Sequence, residues 1–360
     1  MRLGELQLRR GLLLLAAAAA LSAVLGGLAR LGLGTDWGDA RAVDHGPLFV
    51  LGVFGTVIAL ERAVALGASW GRAAPLLGAM TALALLLGFR ELGPPLAGAS
   101  AVALVAVNAA IVRRQAVAFT WLMLLGSGLL LVGNVAWLVG VPVHLVVCGW
   151  MGFFVLTILA ERLELSRLAP KPRWATSTLW LTSIALTAAV GLSLAQAPLG
   201  PRLLGVCFAA LALWEVRFDI ARRLLSVDGL PRYAAVGVLA GAGWLGVSGA
   251  LLAAGGLAAA GPHYDAVLHG VFIGFVLSMV FVHAPIILPA VARLELPFSS
   301  TMYVALGVLH VGLSVRLFGD FLPHAALRRV GGLSTAVALL ALGLAALWSR
   351  RRVSERRPTA

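Results

Sequence analysis

The chain has 360 residues, 61% of them hydrophobic and 12% charged, with a mean hydropathy of +0.98. A soluble domain carries about 25% charged residues, so this composition excludes a water-soluble globule and makes a lipid bilayer the expected partner. The net charge of +13 lies in short runs between apolar stretches, such as Arg113-Arg114, Arg222-Arg223 and Arg350 to Arg352. That is the pattern of membrane loops, and it excludes a nucleic-acid stripe.

A spanning helix needs roughly 20 apolar residues. Arg9 and Arg10 precede a first apolar run that is too long for a signal-peptide core, so an uncleaved first helix is expected at 11–33. Further breaks in apolarity predict helices at 44–66, 73–90, 95–112, 116–139, 142–165, 174–195, 202–220, 233–255, 264–291, 299–319 and 326–348. Residues 1–360 thus read as a single integral membrane domain, all-α and polytopic, with about 12 transmembrane helices. With the N-terminus inside, 21 of the 28 basic residues, Arg2, Arg62, Lys171, Arg232 and Arg357 among them, fall on the cytoplasmic side. Both termini are therefore expected there. A single lysine among the basic residues, with the Ala, Gly and Leu richness, points to a GC-rich bacterial genome and hence to the bacterial inner membrane. Cys148 and Cys207 show no CxxC spacing and read as small buried hydrophobes.

Histidine carries most of the chemical information. On this topology six of the seven face the outer side: His45, His144, His263, His269, His310 and His324. Only His283 falls in the inner half of a helix. An interfacial histidine is commonly a hydrogen-bonding residue and nothing more, yet ionisable groups within a membrane are costly and mark functional sites. His45, His144 and His269 head helices 2, 6 and 10, a step of four helices each time, and similar segments follow them. These read HGPLFVLGVFGTVIALER, HLVVCGWMGFFVLTILAER and HGVFIGFVLSMVFVHAP. Such a recurrence would arrange the helices as three arcs of four.

In the first two segments a Glu-Arg pair follows, Glu61-Arg62 and Glu161-Arg162, about 24 Å deeper at 1.5 Å per residue. Each pair reads as a snorkelling charge at a helix end, with proton entry as the alternative. Glu215 and Asp219, near Arg217, Arg222 and Arg223, read as a solvated charge cluster. His269 and His283 are 14 residues apart, nearly four turns, and would share a helix face about 21 Å apart. His283 precedes Ala284 and Pro285, so hydrogen bonding to a proline-broken turn is its expected role.

The segments from His45 and from Leu268 (LHGVFIGFVLSM) resemble NnrS-type proteins, twelve-helix membrane proteins of nitric oxide metabolism that carry haem and copper. The chain is more distantly similar to the large subunit of haem-copper oxidases. The resemblance implies a haem b bound near the outer face with His45 and His269 as axial ligands. It leaves His144, His310 and His283 as candidates for a further metal, copper included, and a redox partner or quinone as the partner. Departures are specific. Val271 and Val267 stand where an oxidase places its second helix-10 histidine, and helix 7 holds no histidine. Asp44-His45-Gly46-Pro47-Leu48 replaces a His-x-His pair. A full O₂-reducing binuclear centre is therefore not expected; any enzyme here would be a membrane oxidoreductase.

Ligand chemistry agrees with that implication. Neutral imidazole is a good axial ligand for haem iron, and Gly46, Gly52, Gly55, Gly270 and Gly274 leave room either for a flat macrocycle or for close helix packing. The competing function is a secondary transporter, for which twelve helices are also typical.

Overall fold

Twelve helices in the computed structural model are long and apolar enough to cross a membrane; the structure describes residues 3–167 and 169–355. In chain order they are α1 (Gly4–Ala29), α2 (His45–Leu66), α3 (Ser69–Leu87), α4 (Arg90–Arg114), α5 (Ala118–Leu138) and α6 (Val143–Leu165). There follow α7 (Arg173–Leu194), α8 (Leu199–Phe218), α9 (Leu230–Gly255), α10 (Pro262–Ala292), α11 (Met302–Phe321) and α12 (Ala325–Ser349). No strand occurs among the described residues. Arg2, Arg356 and Arg357, counted above as cytoplasmic, lie outside them.

The expected helices are all present, with bounds shifted by a few residues. The largest shift is at α1, which begins before its apolar run. Glu5 Oε1 accepts a hydrogen bond from Arg9 Nη2 at 2.5 Å, an i, i+4 pair that holds the charged first turns in helix. Gly32 then takes a left-handed φ of 73° and turns the chain towards α2.

The helices group into two compact units. The first takes the chain to Glu164 together with Leu186–Pro201; the second takes Leu165–Ala185 and the chain from Arg202 onward. Hydrophobic transfer cannot drive helices together in lipid, so small residues and polar links must do it. In the first unit Ala19 and Ala23 of α1 pack on Leu48 of α2 and on Ala82 and Leu85 of α3. Trp150 of α6 donates to Asn134 Oδ1 on α5 at 2.8 Å, and Asn134 Nδ2 donates to Ala97 O on α4 at 2.9 Å. One buried amide thus ties three helices and satisfies itself.

In the second unit α11 and α12 approach backbone to backbone. A Cβ on Gly331 would lie 2.5 Å from Arg316 N, and one on Gly319 would lie 2.6 Å from Arg328 N. Ala266 of α10 packs with Leu313 and Leu317 of α11, covered by Trp244, Leu251 and Ile273.

Candidate functional site

Two helices depart from α-helical winding, and both carry a predicted ligand within three residues before the departure. In α2, His45–Pro47 is α-helical and Leu48–Gly55 is π-helical. In α10, Pro262–His269 is α-helical and Gly270–Leu277 is π-helical. π winding replaces i→i−4 bonds by i→i−5 bonds and usually appears as a single turn, often at functional sites. The side chains report the same register: Thr56 Oγ1 donates to Leu51 O, five residues back. Phe49 and Phe54, also five apart, meet edge to face with ring centroids at 5.0 Å. By contrast α6, headed by the third recurrent histidine His144, is α-helical throughout.

Around His45 the mounting is local. Thr35 caps the short helix Asp36–Arg41, Trp37 donates to Ser22 on α1 at 3.3 Å, and Arg41 donates to Leu86 O on α3. Asp44, buried, accepts from Arg90 Nε at 2.8 Å. These ties hold the segment from which the His45 ring reaches back, its Nδ1 lying 2.8 Å from Ala42 O. A carbonyl can only accept, so Nδ1 carries a proton and is the nitrogen that anchors the ring.

His269 is anchored in the same way, its Nδ1 2.7 Å from Asp265 O, one turn earlier. Asp265 also presents its carboxylate at 3.4 Å to the same nitrogen. That carboxylate accepts from Arg316 of α11, Nη2 at 2.6 Å and Nε at 3.2 Å. Arg328 of α12 lies 3.9 Å from Asp265 and 2.7 Å from Asp320 Oδ1, close enough for ion pairing but not aligned as a hydrogen bond. The charges of three helices therefore converge behind one imidazole. Sequence reasoning missed Asp265, Arg316, Asp320 and Arg328; Arg316 and Asp320, four apart inside an apolar helix, were the available signal.

The remaining predicted residues fall elsewhere. His310 is enclosed by hydrogen bonds at both nitrogens: Trp244 Nε1 donates to Nδ1 at 3.0 Å, and Nε2 faces Ser278 Oγ at 3.3 Å. Ser278 donates onward to Gly237 O, so a neutral Nε2–H tautomer satisfies the whole chain of bonds. His283 bonds Met279 O at 2.8 Å, two residues before the carbonyl that Pro285 leaves open. That carbonyl, Phe281 O, receives Tyr233 Oη at 3.4 Å. Nor does the 14-residue spacing place His283 on the face of His269, because the π-helical stretch Gly270–Leu277 intervenes. Among the described residues no three His, Cys, Asp or Glu side chains gather as a metal-holding group, so His144, His283 and His310 do not form one.

The glycines separate as the sequence could not. A Cβ on Gly52 would press on Ala82 at 3.0 Å, and one on Gly274 would strike Trp244, while Gly46 beside His45 has nothing within 4 Å. Gly52 and Gly274 serve packing; Gly46 faces open space.

Charge at the far end of α2 also differs from expectation. Arg62 is buried, bonded to Glu61 Oε1 and to Met123 Sδ, each at 2.8 Å. It lies in the field of Glu61, Glu161 and Glu164, and Arg162 is buried too. The two Glu-Arg pairs converge inside the first unit and do not snorkel. Glu215 and Asp219 are likewise buried rather than solvated.

A family model, DUF8744, described as a domain of unknown function, matches residues 9–351, and the chain belongs to that family. No curated protein and no solved structure matches it.

Proposed function

We propose that this DUF8744 protein binds haem b, with His45 and His269 supplying axial imidazoles, and that it serves redox or nitric oxide metabolism in a bacterial inner membrane. Both termini would then be cytoplasmic and both histidines near the outer face. The observation that supports this reading is the shared mount. Each ring gives its Nδ1–H to a backbone carbonyl, and each heads an eight-residue π-helical stretch. A ligating histidine nearly always anchors its second nitrogen this way, which fixes both tautomer and ring orientation. Haem iron held by two imidazoles would supply electron transfer. The protein's part is to hold each imidazole aimed through its Nδ1–H, and in the second unit to back it with the Asp265 carboxylate. Copper does not fit as well, since no ligand cluster gathers for it among the described residues.

The test is an absorption spectrum of the protein purified after haem-replete expression, oxidised and dithionite-reduced, with the haem-to-chain ratio measured. Bis-imidazole ligation gives a low-spin spectrum with sharp α and β bands. His45→Ala and His269→Ala should each abolish it, while His263→Ala and His324→Ala leave it intact. A wild-type spectrum in both of the first two variants refutes the ligand assignment. A colourless wild-type protein refutes haem binding and favours the secondary transporter.

A further inference from the structure

At the end of the second unit opposite His269, the segment before α7 and the end of α8 enclose an open cavity of about 370 Å³. Its lining carries Lys171, Arg217, Arg222 and Arg223 against a single acid, Asp219. We propose that this cavity binds a phosphate-bearing ligand, the chemistry shared by a phospholipid headgroup and a soluble phosphate compound.

A basic loop that serves only as a topology signal needs charge on the correct side and nothing more. Here two of the cations, Lys171 and Arg217, are also held in place. Lys171 stands between Pro170 and Pro172, whose fixed φ angles stiffen the segment. Its Nζ is steadied by Ser166 O and Ser166 Oγ, both at 2.8 Å. The Arg217 guanidinium lies 5.2 Å from the Phe218 ring centroid. Asp219 turns Oδ1 onto Ala221 N at 2.6 Å, which commits that oxygen to the backbone. Burial and the nearby Arg223 hold the Lys171 ammonium below its usual pKa, with Asp219 opposing them. Four cations around one cavity repel one another, and an anion between them relieves that repulsion. The cavity is of small-ligand size, and phosphate oxygens can accept from several of these donors at once. On the proposed topology it opens to the cytoplasm, where anionic lipids and soluble phosphates both occur.

The full chain is tested in two arms at fixed ionic strength. Calorimetric titration of protein in neutral detergent with inorganic phosphate reads a soluble ligand. Native mass spectrometry of protein taken from vesicles of phosphatidylglycerol and phosphatidylcholine reads a retained lipid. Saturable one-to-one binding is expected in at least one arm. Lys171→Gln and Arg223→Gln should each weaken it about tenfold, the loss of one charge-assisted hydrogen bond. Arg113→Gln removes an equal charge from another helix end and should leave it unchanged. Saturation by phosphate identifies a soluble ligand, and selective retention of phosphatidylglycerol identifies the headgroup. If Lys171→Gln does not fold, Arg222→Gln and Arg223→Gln carry the same reading. Absence of binding in both arms, or equal weakening by Arg113→Gln, overturns the proposal.

Discussion

The surroundings of His45 and His269 solve one problem in two ways. Both rings are fixed through Nδ1 to a carbonyl within one turn, and both stand beside a carboxylate paired with an arginine. Around His45 that pair is Asp44 with Arg90, whose side chain is 52% exposed. Around His269 it is Asp265 with Arg316, which is only 11% exposed, supported by Arg328 and Asp320 from the neighbouring helices. The first mount is a braced loop at a helix end, and the second is a buried ionic lattice within a bundle. A histidine can therefore be oriented equally well by local chain geometry or by tertiary charge, but the two should differ sharply in what a mutation costs.

The largest difference is expected between the two arginines. Arg316→Ala removes a buried guanidinium and both of its hydrogen bonds to Asp265, which costs about 3–5 kcal/mol. Arg90→Ala removes a half-exposed guanidinium but leaves the buried Asp44 carboxylate without it, and costs about 1–3 kcal/mol. Unfolding of the purified proteins in detergent measures both, and equal losses would erase the distinction between the mounts. The next effect concerns winding. Deleting Val53 or Ile273 would let the π-helical stretch relax towards α winding and turn the preceding histidine about its helix axis. Both deletions should keep membrane insertion yet lose the low-spin haem spectrum; a retained spectrum would show the π winding dispensable. A smaller effect separates the glycines. Gly274→Ala sets a methyl against Trp244 and should cost about 1–3 kcal/mol. Gly46→Ala meets open space and should change stability by less than about 0.5 kcal/mol. A destabilised Gly46→Ala protein would show that the space beside His45 is already filled.

The twelve helices were legible because a span must be apolar for a fixed length, a constraint that hydropathy reads directly. The π-helical stretches were not. LFVLGVFG and GVFIGFVL are apolar at almost every position, so no polar face records whether the chain winds by four or by five. The ring anchors of His45 and His269 were equally hidden, since they depend on backbone carbonyls that any residue supplies. Arg62 shows a different failure. Its place beside a helix end suggested snorkelling, but it is buried against Met123, and only the packing of α2 on α5 decides that. Arg316 and Asp320 were visible and were overlooked. Their i, i+4 spacing within an apolar segment was an adequate sign of a buried pair.

The charges of α11 also bear on how the chain is made. A charged residue adds about 2.5–3.5 kcal/mol to insertion at a helix centre and less towards its ends, and α11 carries Arg316 and Asp320 within its last turns. The groups that neutralise them come from both sides in time: Asp265 emerges from the ribosome earlier, Arg328 later. Between α11 and α12 the connection is only 322–324, and their glycines permit backbone contact along the hairpin. The two helices are thus suited to leave the translocon together, with α10 already waiting. A nascent chain stopped before α12 would hold Asp320 without Arg328.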